Sequence, residues 1–238
     1  QRRFHRLWSS LGIPADFAIP AYEDPWIALD VESRLPVGVD PSSSDLGDAA
    51  ERARLARLLR QGLGAVAGYA LPLRSAARGV DTGGVIAWRS NSWPLRREHL
   101  FLVPGDSPIG FRLPLKALPY IKPVDYPHLV PADPMAARGD LPDPELLAQA
   151  IAHRSEVAVA RAKVVSFHRG QGAPARAVAS SPGASTPVRT ALTVEPRDGR
   201  ICVFMPPVER LEDYLEMLAV IEATAGELNM PVHVEGYE

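Results

Sequence analysis

The chain has 238 residues, 46% hydrophobic and 23% charged, with 26 Lys plus Arg against 28 Asp plus Glu. That composition belongs to folded globular chains and excludes a disordered one. A formal charge of −2 removes the electrostatic case for nucleic acid or an anionic membrane as partner. No run approaches the ~18 apolar residues a spanning helix requires, so a soluble, cytoplasmic protein is expected. One cysteine, Cys202, excludes an internal disulfide and a multi-cysteine zinc site.

Proline is the outlying residue. The 24 prolines are about twice the usual ~5% share and are spread along the chain, which implies short elements joined by extended, ordered connections. The chain starts at Gln1 without a signal-peptide pattern, which reads as a piece of a larger polypeptide.

Taken in order, Phe4, Leu7, Trp8 and Leu11 share the face of a short helix that Gly12 ends. Pro-punctuated extended chain runs to Pro41. A second helix carries Leu55, Leu58, Leu59 and Leu63 on one side and Arg52, Arg54, Arg57 and Arg60 on the other; the overall charge favours a solvated face over a binding patch. Strands are expected at 66–73 and 99–103, and alternation extends the expectation to 109–115. A helix is expected from Pro144 to Val165, followed by a small, polar stretch that reads as a linker or insertion.

The last region has the clearest pattern. Strands at 188–195 and 200–205 flank the turn Pro196-Arg-Asp-Gly199. Pro206-Pro207 then opens a helix with Val208, Leu211, Leu215, Leu218, Ile221, Ala225 and Leu228 on its buried stripe and Asn229 at its end. A strand from Pro231 follows and reaches Glu238 in mid-element. The fold class is therefore α+β: a mainly antiparallel sheet with packed helices and Pro-rich connections, an incomplete fragment of a larger domain. Its divisions are 1–165, a linker or insertion at 166–187, and a hairpin–helix–strand unit at 188–238.

Phosphate-binding Gly-Lys loops, nucleophile elbows and His-x-x-x-His pairs are absent from the sequence. Cys202, between Ile201 and Val203 on an alternating strand, reads as a buried thiol rather than a nucleophile. Two constellations remain. Around Pro104–Leu115, Asp106 either bonds its own backbone in a turn or joins Arg96, Arg97 and Arg112, whose planar forks suit a carboxylate or phosphate. On the C-terminal strands, Glu195, Glu235 and Glu238 either alternate into solvent or face one hollow and hold Mg²⁺.

Several blocks also match a known family. Tyr22-Glu-Asp-Pro25, Pro104-Gly-Asp-Ser-Pro-Ile-Gly110 with Arg112-Leu-Pro-Leu115, Arg189-Thr-Ala-Leu-Thr-Val-Glu-Pro-Arg-Asp-Gly199 and Phe204-Met-Pro-Pro-Val-Glu-Arg-Leu-Glu-Asp-Tyr-Leu215 resemble the C-terminal region (a domain of unknown function, family 2126) of large bacterial transglutaminase-like proteins. That region in turn resembles glutamine-synthetase-type amidoligases. The resemblance implies a parent that uses ATP and Mg²⁺ to join a carboxylate to an amine, with a peptide as substrate. It further implies a transglutaminase-like domain and a ligase-like remainder in the parent chain, and an isolated piece that is inactive by itself. Under it Glu195 is a metal or substrate ligand, Glu235 a second metal ligand and Arg189 a phosphate or carboxylate clamp. A competing expectation is a non-catalytic module that positions substrates for an attached cysteine protease domain, with a groove lined by Trp88, Trp93 and the arginines. The two differ in geometry: a shared ion requires the carboxyl groups of Glu195 and Glu235 within ~10 Å of each other.

Overall fold

The computed structural model describes residues 7, 10–13, 15–26, 30, 33, 34, 38, 49, 50, 53, 60, 62, 64–75, 88–93, 95, 99–118, 120, 122, 133, 135, 140–153 and 188–237. The basic-faced helix expected around 45–63 and the linker at 166–187 lie largely or wholly outside them.

The described residues hold eight strands: β1 (Ile19–Tyr22), β2 (Val66–Pro72), β3 (Arg74–Ser75), β4 (Trp88–Arg89), β5 (Leu100–Phe101), β6 (Ala191–Arg197), β7 (Arg200–Phe204) and β8 (Val232–Glu235). Six of them form one sheet in the order β5-β1-β2-β6-β7-β8, and β3 with β4 forms a two-stranded ribbon. The α+β class holds. The sheet is mixed: its centre is antiparallel, whereas β5 joins β1 and β8 joins β7 in parallel. A parallel neighbour requires a crossover, and for β8 that crossover is the long helix that follows β7.

The β6–β7 hairpin turns more tightly than its sequence suggests. Pairing continues to Arg197↔Arg200, so the loop is Asp198-Gly199 alone, with φ of 51° and 73°. Two positive φ values are what a two-residue turn matching strand twist demands, and Asp-Gly supplies them.

Helix α1 occupies 144–153 among the described residues. Asp143 caps it, its Oδ1 accepting the amides of Glu145 at 2.8 Å and Leu146 at 3.2 Å. Helix α2 spans Leu211–Leu228. It begins later than Pro206-Pro207 because the chain stays extended there: the Met205 amide donates to Glu235 O at 2.7 Å, prolonging the β7–β8 ladder, and Arg210 is still extended. The buried stripe is also rotated from expectation, to Asp213, Glu216, Met217, Val220, Ile221 and Thr224. Apolar residues on α2 are numerous enough to permit either face, and contact with the sheet and with Trp88 selects this one. Asn229, left-handed at φ 49°, ends the helix as expected.

Each face of the sheet carries a separate core. On one, Leu71, Leu192, Val194 and Val203 pack against Met217, Val220 and Ile221 of α2, with Leu7, Leu11 and Trp88. On the other, Ala21, Ala70, Leu100 and Ala191 lie under Ile109, Leu113 and Trp93. Strand alternation sends neighbouring residues to opposite sides, so one set of strands serves both cores.

The strand expected at 109–115 is not formed. Ile109–Arg112 is a 3-10 turn followed by a second at Leu115–Ala117, and the amide of Phe111 bonds Pro108 O at 3.0 Å. Pro108 and Pro114 have no amide to give a strand partner. The alternation is inverted as well: Phe111 is 53% exposed, while Arg112 is buried.

Candidate functional site

The 3-10 turn at 109–112 sits on the sheet through two glycines. A Cβ on Gly68 of β2 would lie 2.5 Å from Val194 O and 2.6 Å from the Ile109 side chain; one on Gly110 would lie 2.1 Å from the Phe204 ring. Side chains at these two positions would hold the turn away from the strands. With them absent, the Ile109 amide reaches the Oε1 of Glu195 at 3.2 Å.

Register then assembles the rest. Glu195 is opposite Cys202, and Thr193 opposite Phe204; Cys202 adjoins His233, and Phe204 adjoins Glu235. Glu195, Arg197 and Thr193 share one side of β6, with Cys202, Phe204, His233 and Glu235 beside them. The guanidinium of Arg197 bridges the acids. Its Nη1 donates to Glu195 Oε1 at 3.1 Å, and its Nη2 to Glu235 Oε1. The two carboxylates thus lie on one guanidinium, inside the ~10 Å limit that a shared ion sets. His233 Nε2 is 3.8 Å from Glu235 Oε1. The second oxygen of Glu235 is buried and has no hydrogen-bond partner among the described residues, as is the case for the Thr193 hydroxyl.

Burial is the main electrostatic influence. It lifts the Glu195 carboxyl above its usual value against the opposing pull of the Ile109 amide and of Arg197, and Glu235 adds to the rise. For Arg197 burial acts against the charge, but the hydrogen bond to Glu235 and the surrounding acids outweigh it and raise the guanidinium pKa. Burial raises the Cys202 thiol, despite Arg197 nearby, which keeps it protonated and poorly nucleophilic. Beside the acids, Phe204, Phe111 and Tyr237 form an edge-to-face trio with centroids 4.7 to 5.2 Å apart.

The remaining sequence candidates are dispersed. Arg112 does grip a carboxylate, but that of its own chain: Nη1 donates to Glu23 at 3.0 Å, Nη2 bonds the other Glu23 oxygen, and Nε bonds Val103 O at 2.8 Å. Arg189 donates to Leu115 O at 2.6 Å and Leu118 O at 3.2 Å, tying down the second 3-10 turn. Asp106 lies in the bend at 104–107. Arg96, Arg97 and Glu238 lie outside the described residues. The tryptophan-lined groove is contradicted. Trp88 is buried in the α2-side core with its indole on Glu216 at 3.1 Å, and Trp93 is buried in the opposite core with its indole on Val188 O at 2.7 Å. Large rings at both positions were needed for packing, so they line no common surface. A groove of ≈ 600 Å³ does run between α2 and β8, lined by Leu218, Ile221, Val232 and Val234 among others, on the side away from the acids.

Arg197 is the site residue that sequence reading missed, hidden in what looked like a turn. Its signal was present: on a strand, the i, i+2 spacing from Glu195 places both on one face.

A family model described as "Putative amidoligase enzyme (DUF2126)" matches residues 1–238. The chain belongs to this family. No curated protein and no solved structure matches it. The match covers both blocks that build the site, the turn of the Pro104–Leu115 segment and the strands at 191–204, and it agrees with the amidoligase side of the resemblance. No helix among the described residues is long and apolar enough to cross a membrane.

Proposed function

We propose that the chain is part of an ATP-dependent carboxylate–amine ligase and that Glu195 and Glu235 hold Mg²⁺ on the face of the sheet opposite α2. The observation that carries the reading is the convergence of two strand carboxylates on a single cationic group, with a buried Glu235 oxygen that has no hydrogen-bond partner among the described residues. The donor set fits the ion. Both residues offer hard oxygen ligands, and Mg²⁺ is characteristically held by one or two carboxylates, with waters and substrate phosphates completing its shell. No group of three or more His, Cys, Asp or Glu among the described residues is placed to hold a metal ion, so the protein ligands would be these two carboxylates alone.

Glu195 and Glu235 would hold the ion, which would supply charge neutralisation to a phosphoryl group on its way to a substrate carboxylate. The chain's own residues have separate tasks. Ile109 donates its amide to Glu195 and fixes the direction of that carboxylate. Phe204, Phe111 and Tyr237 pack edge to face beside the acids, with Phe204 buried and the other two rings open to solvent. Arg189 and Arg112 act on the scaffold: one pins the second 3-10 turn, and the other ties the 103–112 loop to Glu23. The reading extends to a peptide as substrate and to a transglutaminase-like domain and a ligase-like remainder as partners in the parent polypeptide.

Isothermal titration of the intact protein with Mg-ATP is expected to give saturable binding that Glu195→Gln and Glu235→Gln each weaken by at least about tenfold. No heat from the wild type, or full binding by both variants, overturns the proposal.

A further inference from the structure

We propose that Arg197 is a built-in counter-ion of the Glu195–Glu235 pair, a positioning residue that competes with a divalent cation for the same carboxylate oxygens. The inference rests on the reading of that pair as the metal site.

Three observations lead to it. The first is position. Arg197 ends β6, two residues after Glu195, and its two terminal nitrogens engage Glu195 Oε1 and Glu235 Oε1. A guanidinium is a planar fork able to span two acids at once, and it stands where an ion ligated by both would stand.

The second is charge. Two carboxylates against one guanidinium leave a net charge of −1. A divalent cation in the same place brings the sum to zero. The side chains of Glu195 and Glu235 are only 13% and 17% exposed, so solvent screens this imbalance weakly.

The third is freedom to leave. Arg197 is the most exposed of the three at 29%, and the chain turns immediately after it at Asp198-Gly199. Its side chain can swing toward solvent without disturbing the strands. Departure frees Oε1 of Glu235, beside an Oε2 that has no hydrogen-bond partner among the described residues, and removes one of the two donors on Glu195 Oε1, where the Ile109 amide remains to hold the carboxylate. Arg197 therefore keeps the acids converged when the cation is absent and lowers their affinity for it when it is present.

The test is titration of the intact protein with Mn²⁺, a spectroscopically visible stand-in for Mg²⁺, following free Mn²⁺ by electron paramagnetic resonance in wild type, Arg197→Gln and Arg197→Lys. Arg197→Gln is expected to bind Mn²⁺ about tenfold tighter or more, corresponding to loss of about 1.4 kcal/mol of competition. Arg197→Lys falls between, because an ammonium is a point charge without the spanning fork, and it serves should the glutamine variant not fold. Metal-free Arg197→Gln is expected to melt lower than wild type and to recover with Mn²⁺. A purely structural arginine would instead lower melting temperature and affinity together. Mn²⁺ affinity equal to or weaker than wild type in both variants overturns this inference and leaves the metal site standing. No Mn²⁺ binding by any of the three proteins overturns the metal site and the inference with it.

Discussion

The two faces of the sheet use the same strands for different ends. Toward α2, Leu192 and Val194 of β6 meet Val203, Met217 and Val220 in a core whose charged members are few and buried. On the other side the intervening residues of β6 are Thr193, Glu195 and Arg197, and what covers them is a 3-10 turn seated on glycines rather than a helix. The first face is insensitive to the identity of any one contact provided volume is kept. The second depends on single atoms: one amide, one guanidinium, two missing Cβ atoms. A face that carries charge in a half-buried setting must position its groups accurately, because desolvation makes every unpaired one costly.

Substitutions on the two faces should therefore fail differently. The largest loss is expected from Met217→Ala, which empties a fully buried position in the α2 core. It should cost about 2–5 kcal/mol in chemical denaturation while leaving the Mn²⁺ affinity of the folded protein unchanged. A change in affinity at unchanged fold would show that the faces are coupled.

Gly110→Ala is expected to cost less, about 1–3 kcal/mol from overpacking against the Phe204 ring, yet to weaken Mn²⁺ binding because the displaced turn withdraws the Ile109 amide from Glu195. Unaltered binding in this variant would mean the turn is packing and nothing more.

The smallest effect is a pH slope. The Glu195 carboxyl is raised in the folded protein above the 4.5 of an ordinary glutamate, chiefly by burial. Between 4.5 and its raised value the folded state holds more protons than the unfolded one, so stability falls as pH rises through that window. The contribution is complete below 4.5 and lost above the folded value. Glu195→Gln cannot titrate, so its stability relative to wild type should improve as pH is raised across the same range in a urea series. A difference independent of pH would mean burial does not hold this carboxyl's charge in check.

Local signals carried much of the C-terminal unit. β-branched and apolar alternation marked β6 and β7, Asp-Gly marked their turn, and Asn229 marked the end of α2; each depends on residues within a few positions of one another. The Pro104–Leu115 block shows the limit. Its alternation resembled a strand, but two prolines and a glycine pressed onto a distant phenylalanine made it a turn, and Phe204 lies nearly a hundred positions away. Trp88 and Trp93 resembled binding residues because a tryptophan's side of the sheet cannot be read from its neighbours.

By itself, the sequence determined the α+β class, the C-terminal hairpin and helix, and, through its conspicuous blocks, the family. Tertiary structure alone decided that β2 and β6 pair across more than a hundred residues, that β8 returns parallel to β7, and that Arg197 closes on both acids. Element identity follows from torsional preference and burial period along the chain. Which charged groups meet follows from strand register, a property of pairs of strands that no single segment contains.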